Sequence, residues 1–158
     1  MKSLFEYFKP MYAVTSVPLL LLAAVASYNL RAFPASLVAA IAACGVLDLA
    51  VARLFIKKRL AFPSSALITG TIIGSIAPFD SPLHVVIAAS VVAIASKYLL
   101  KLKGHHIFNP ATLGLLVALS LFSLGDVWWA AAASLNVFGF AIPLTLALII
   151  ANYKAGKL

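Results

Sequence analysis

The chain has 158 residues, of which 64% are hydrophobic and 10% are charged, and its mean hydropathy is +1.10. A water-soluble domain of this length could not bury so much apolar surface in one core, so the composition excludes an ordinary soluble globular protein. Because backbone in lipid must satisfy its hydrogen bonds internally, the long apolar runs predict an all-α integral membrane protein. We expect a single transmembrane domain over residues 1–158, with the lipid bilayer as its surroundings.

Proline residues and short charged turns divide the chain into apolar runs. About six spans are predicted, at 11–30, 35–56, 63–78, 83–100, 109–124 and 127–152. With a cytoplasmic N-terminus, most Lys and Arg residues fall on the inner side, which predicts that both termini are cytoplasmic and that the protein is a multi-pass protein of the cell membrane. The net charge of +8 is then explained by topology and indicates no nucleic-acid partner.

Two of the predicted spans, 63–78 and 109–124, are unusually short. About 16 residues rise roughly 24 Å in a helix, whereas the hydrocarbon core is about 30 Å thick. Phe62 and Phe108 open these spans and Asp80 and Asp126 follow them, each pair 46 positions apart. We interpret this spacing as a degenerate parallel repeat of a short helix and a long helix, with coincidence as the alternative. Short, interrupted spans are typical of sites lined by helix ends.

The starts of the short spans carry the candidate binding residues. Asn109 followed by Pro110 predicts a strong helix N-cap, and Ser64 and Ser65 are expected to cap the other short helix. The two N-termini would then meet at the cytoplasmic side and offer free amides and positive dipole ends to an anionic or carbonyl-rich ligand. Ordinary helix capping is the alternative.

Within the first short span, small and hydroxylated residues allow two interpretations. Thr69 and Gly70 either contact a ligand or let another helix approach closely, and Gly74 is expected to serve packing.

Asp48 lies deep in the second predicted span, where a carboxylate is costly and needs a partner or a wet cavity. Asn136, in the last predicted span, is a candidate neutral partner, and we consider an ion or proton site that includes both residues. The lone cysteine, Cys44, is interpreted as a packing residue. His105 and His106 are interpreted as solvated loop residues. Aromatic residues at span ends are expected to anchor the membrane interface; these are Tyr12, Trp128 and Trp129.

Four segments between residues 62 and 122 have a distinctive order and spacing. They are 64–70 (SSALITG), 77–82 (APFDSP), 95–97 (ASK) and 104–111 (GHHIFNPA). In these segments the chain resembles a family of membrane subunits that is shared by the sodium-pumping NADH:quinone oxidoreductase and the Rnf electron-transport complex. The Phe-Asn-Pro-Ala element is the most specific part.

The resemblance implies a fold related to urea transporters and a flavin-binding electron-transfer subunit in a complex that couples redox chemistry to ion transport. The candidate flavin contacts are Ser64, Ser65, Thr69, Gly70, Phe108, Asn109 and Thr112. Larger members attach FMN to a threonine in a Ser-Gly-Ala-Thr segment, which this sequence lacks. We therefore expect a non-covalent flavin, riboflavin or FMN, and give Thr112 no covalent role.

The resemblance also bears on partners. The chain is about half the length of those proteins, so a parallel homodimer is expected to replace their second half. Redox partner subunits are the other kind of partner that the resemblance implies. Small residues could allow helix contact between copies or, as the alternative, packing within one chain; these are Ala39, Ala40, Ala43, 130–133, Ser134 and Gly139. The alternative functions are a small-solute channel or transporter resembling urea transporters, and a structural membrane subunit that binds no ligand.

Overall fold

The computed structural model describes residues 10–55, 62–102, 105–123 and 129. These residues form helices α1 (Pro10–Leu30), α2 (Ala35–Leu54), α3 (Ser64–Ile76), α4 (Leu83–Leu99) and α5 (Pro110–Leu121). Two short strands, β1 (Lys101–Leu102) and β2 (His105–His106), pair antiparallel between α4 and α5. The helical class is confirmed over the described residues, and the small hairpin was not predicted. Apart from residue 129, the sixth predicted span lies outside the described residues, and so does Asn136.

The described helices differ in their ability to cross a membrane. Among the described residues, α2 alone is long and apolar enough to do so, while the apolar stretch Val17–Leu30 and helices α3, α4 and α5 are shorter. The predicted shortness of two spans is confirmed: α3 has 13 residues and α5 has 12, which correspond to roughly 20 and 18 Å of rise. The six-span count and the cytoplasmic termini stay predictions.

Helix α3 packs closely and antiparallel against α2, the helix that precedes it. A β-carbon built at Gly70 would lie 2.6 Å from the carbonyl oxygen of Ala40, and one at Gly74 would overlap Leu37. As the numbering rises along α3 it falls along α2, so the two helices run in opposite directions. The packing role predicted for Gly74 is confirmed, and Gly70 shares it.

Helices α4 and α5 repeat this arrangement. A β-carbon at Gly114 would overlap the carbonyl oxygen of Ala89 and lie 2.9 Å from the β-carbon of Ala93. The His84 and Phe122 rings also make an edge contact, with centroids 5.3 Å apart. These contacts run antiparallel, so each short helix packs against the long helix before it.

Helices α2 and α4 run in the same direction. The Cys44 thiol on α2 contacts Ser90 on α4. Asp48, further along α2, contacts Lys97, further along α4. Residue numbers therefore rise in the same direction along both helices. Since α3 and α5 are each antiparallel to their long partners, α3 and α5 are parallel to each other. Their N-termini therefore lie at the end of the bundle where α2 and α4 finish, as a parallel repeat requires.

The apolar core lies among α2, α3, α4 and α5, with Ile73, Val86 and Ile94 fully buried. Ala40 belongs to this core and is 0% exposed. It cannot contact a second copy of the chain, because Gly70 covers it. A dimer contact is thus wrong for Ala40, and the alternative of packing within one chain is confirmed for it. Residues 130–134 and Gly139 lie outside the described residues.

Candidate functional site

The start of α5 is built as its sequence predicts. The Asn109 side-chain oxygen accepts a hydrogen bond of 3.0 Å from the backbone amide of Ala111, and Pro110 occupies the first turn. Proline fits there because its missing N–H is at a position that needs no partner within the helix. Phe108 and Asn109 are exposed, so this capped helix start opens onto the surface of the described bundle.

The start of α3 differs from the prediction. Pro63 occupies the N-cap and no side chain caps the helix. Ser64 and Ser65 already lie inside the helix, and the Pro63 carbonyl oxygen accepts bonds from the amides of Ala66 and Leu67. The prediction that Ser64 and Ser65 cap α3 is therefore wrong. A capping side chain belongs to the residue just before the helix, and in α3 that residue is Pro63.

The remaining candidate contacts fall into two groups. Thr69 and Gly70 are buried; the Thr69 hydroxyl donates to the Ser65 carbonyl oxygen at 3.0 Å and Gly70 faces α2. Thr112 is exposed in the first turn of α5. The groups available near the helix starts are consequently Ser65, Asn109 and Thr112, with the aromatic ring of Phe108 beside them.

At the same end of the bundle, three polar side chains from α2 and α4 meet. The Lys97 ammonium donates to Asp48 Oδ1 at 2.7 Å, and the Tyr98 hydroxyl donates to the same oxygen at 2.8 Å. The Asp48 and Lys97 side chains are each 12% exposed. A buried carboxylate is costly unless it is paired and hydrogen-bonded, and both conditions are met here. We name Asp48, Lys97 and Tyr98 the acid–lysine cluster.

Lys97 and Tyr98 were missed as partners of Asp48. A signal existed: Asp48 and Lys97 each lie about 14 residues from the start of their helices, and two parallel helices place equivalent positions at one level. Reading that signal requires knowing that α2 and α4 are parallel neighbours. The expectation that Asp48 faces a partner is confirmed, although the proposed contact with Asn136 lies outside the described residues.

At the opposite end of the bundle, Trp129 contacts α3 and the turn that follows it. Its indole N–H donates to the Gly74 carbonyl oxygen at 2.8 Å, and its ring packs edge-on against Phe79. Gly74 lacks the usual helical partner because the residue four positions on, Pro78, has no N–H. Trp129 is only 3% exposed. The prediction of an interface anchor is therefore wrong for Trp129, which satisfies an orphaned carbonyl group.

Comparison with known proteins identifies a family but no individual relative. No curated protein and no solved structure shows a significant match to the chain. A family model described as "NQR2, RnfD, RnfE family" matches residues 7–154, which extends well beyond the segment that carries the sequence resemblance. Members of this family are membrane-associated subunits of multi-subunit oxidoreductase complexes. Because the match covers nearly the whole chain, this protein belongs to the NQR2, RnfD, RnfE family.

Proposed function

We propose that this protein is an electron-transfer subunit of a membrane oxidoreductase complex and that it binds a non-covalent flavin, riboflavin or FMN. Family membership supports the electron-transport role. The observation that carries the flavin assignment is the parallel arrangement of the two short helices, which brings two positive helix ends to one face of the bundle.

The residues at this face suit the pyrimidine edge of a flavin. That edge has carbonyl oxygens and gathers negative charge on reduction, so helix N-termini and amide donors stabilise it. Asn109 uses its side-chain oxygen for the cap, and its amide nitrogen is a further donor. Phe108 is 57% exposed beside it and offers an aromatic face. A bound flavin supplies the redox chemistry, while these groups bind and orient it.

The test is the visible absorbance of the detergent-purified protein, before and after addition of riboflavin or FMN. We expect a flavin spectrum that mild denaturation releases into solution. An uncoloured protein that takes up neither compound would contradict the proposal.

The variant Asn109→Asp makes this test specific, because Asp caps a helix as well as Asn does but adds a negative charge. We expect the helix to remain folded while the bound flavin becomes harder to reduce. Ser120→Ala, an exposed change at the other end of α5, should leave the reduction potential unchanged.

The small-solute channel remains the competing function. A channel needs polar side chains along a path, whereas the hydroxyls of Thr69 and Thr71 donate to carbonyl groups of their own helix. Swelling of proteoliposomes in urea separates the two functions, because the flavin proposal predicts none above that of empty vesicles.

We also propose that two copies associate in parallel in the cell membrane, since the asymmetry of Lys and Arg would insert both copies the same way. Exposed Leu83, Ile87 and Val91 form an apolar stripe on α4, available to lipid or to a second copy. The mass of the solubilised particle, after subtraction of detergent, tests the dimer, and a stable monomer would refute it.

A further inference from the structure

We propose that the C-terminal end of α3 and the turn after it bind a buried water molecule, held by the hydroxyl groups of Ser75 and Ser81. Residues 77–82 are one of the segments that carry the sequence resemblance, and the proposed flavin contacts make no use of them. Those contacts lie at the other end of α3, so the water site does not depend on a flavin.

Both hydroxyl groups are buried without a protein partner. Ser75 is fully buried and Ser81 is 7% exposed. Within the part of the chain that the structure describes, neither hydroxyl oxygen has a hydrogen-bond partner. Thr71 and Ser90 differ, because their buried hydroxyls donate to a carbonyl oxygen one turn earlier in their own helix. A buried hydroxyl without any partner is costly, so two of them six positions apart indicate a bound molecule that supplies the missing bonds.

The backbone of Ser75 also lacks a donor. The helical partner of its carbonyl oxygen would be the amide of Phe79, but the chain leaves the helix at Ala77, where ψ is 147°. No amide of the described residues donates to the Ser75 carbonyl oxygen. Ser75 therefore has a hydroxyl group and a carbonyl group that both need a partner, and a residue with no exposed surface cannot obtain one from bulk solvent.

The turn after α3 keeps Ser81 close to this end of the helix. The Ser81 amide donates to the Pro78 carbonyl oxygen at 3.0 Å, which closes a turn of four residues. The Ser36 hydroxyl donates to the Phe79 carbonyl oxygen at 3.3 Å and joins this turn to the start of α2. Ordered water is one of the means by which membrane proteins satisfy backbone groups that a proline leaves unpaired.

The chemistry of the segment favours a neutral molecule over a cation. Residues 75–82 have one acidic side chain, Asp80, and it is exposed. A buried cation is costly unless an opposite charge pairs with it. Water is neutral, and a buried water makes two to four hydrogen bonds to groups of the kind that Ser75 and Ser81 present.

Thermal unfolding of the full chain in detergent tests whether the two hydroxyls share a ligand. We expect Ser75→Ala and Ser81→Ala each to lower the melting temperature by about 2–4 °C, as the loss of one hydrogen bond predicts. The double variant should lose less than the sum, because either change releases the same water. The matched control is Ser96→Ala, which removes a buried hydroxyl that donates within its own helix and should combine additively with Ser75→Ala.

Two results of this cycle would overturn the proposal. One is strict additivity of Ser75→Ala and Ser81→Ala. The other is a rise in melting temperature in either single variant, which is what the removal of a dry, unpartnered hydroxyl would give.

A second measurement detects the water in the unmodified protein. In nuclear magnetic resonance, we expect magnetisation transfer from water to the amides of Ser75 and Ile76, and none to the equally buried amide of Val86. The transfer should disappear in Ser81→Ala, which keeps the Ser75 hydroxyl and so separates bound water from exchange of that hydroxyl. Absence of transfer in the unmodified protein would refute a bound water.

The choice of water over a cation has its own test. Replacement of sodium and potassium in the buffer by choline, at equal ionic strength, should leave the melting temperature unchanged. A fall that Ser75→Ala abolishes would identify a bound cation and contradict the proposal.

Discussion

At the start of α5, one side chain satisfies a backbone amide that the helix itself cannot. Replacing Asn109 with Ala removes the hydrogen bond to Ala111 and should lower the free energy of unfolding by about 1 kcal/mol. Ser65→Ala, a hydroxyl that caps nothing, should change it by less than about 0.5 kcal/mol. Unfolding in mixed detergent micelles measures both, and equal losses in the two variants would refute the cap assignment.

Trp129 supplies the partner that Pro78 denies to Gly74. Trp129→Phe keeps most of the ring packing on Phe79 but removes the indole N–H, which should cost about 1 kcal/mol of stability by leaving the Gly74 carbonyl group unpaired. In a Pro78→Ala background the cost should shrink, because residue 78 then has an amide that can bond to Gly74. A double-mutant cycle measures the difference, and strict additivity would contradict this account.

The residue scale also shows where sequence reasoning succeeds. The Asn109 cap was predictable because a cap depends on residues within one turn. The sequence around Ser64 has similar local features, but Pro63 takes the N-cap position of α3 and no side chain caps that helix. Trp129 and Gly74 are 55 positions apart, and nothing local indicates which distant indole will satisfy the carbonyl group that Pro78 orphans.

Between elements, glycines set how closely each short helix approaches its long neighbour. Gly70→Ala would place a β-carbon 2.6 Å from the backbone of α2, so the helices must separate, at an expected cost of about 1–3 kcal/mol. Gly45→Ala is the matched control, because its β-carbon would meet only the end of the Leu67 side chain at 3.1 Å. The control should be neutral or slightly stabilising, since Ala favours helix over Gly.

Thermal unfolding of the Gly70→Ala and Gly45→Ala variants in detergent measures both changes in stability. Equal stability of Gly70→Ala and the unmodified protein would mean that α2 and α3 are less closely packed than the structure shows.

The helices themselves were predictable from apolar runs and prolines, with ends within a few residues of the observed ones. The neighbours of each helix were harder to predict. The repeat interpretation joined each short helix to the long helix after it, whereas α3 packs most closely on α2 before it, through Gly70 and Gly74. Such choices depend on backbone approach distances, which hydropathy does not encode.

For the whole molecule, the family match and the helix directions support the same account. The match covers residues 7–154, and the contacts of α2 with α4 orient both short helices alike. Sequence reasoning reached the family from the segments around the two helix starts. It missed the acid–lysine cluster because that cluster joins residues 49 positions apart, on helices whose adjacency only the fold reveals.

The parallel orientation of α3 and α5 is the claim on which the flavin proposal depends, and labelling of single cysteines from each side of a sealed membrane tests it directly. In a Cys44→Ala background, the four positions to compare are Phe62 and Phe108 at the helix starts and Asp80 and Ser123 beyond the helix ends. We predict that cysteines at 62 and 108 react from the same side, and those at 80 and 123 from the other. Reaction of 62 and 108 from opposite sides would contradict the account, because the two positive helix ends would then not share a face.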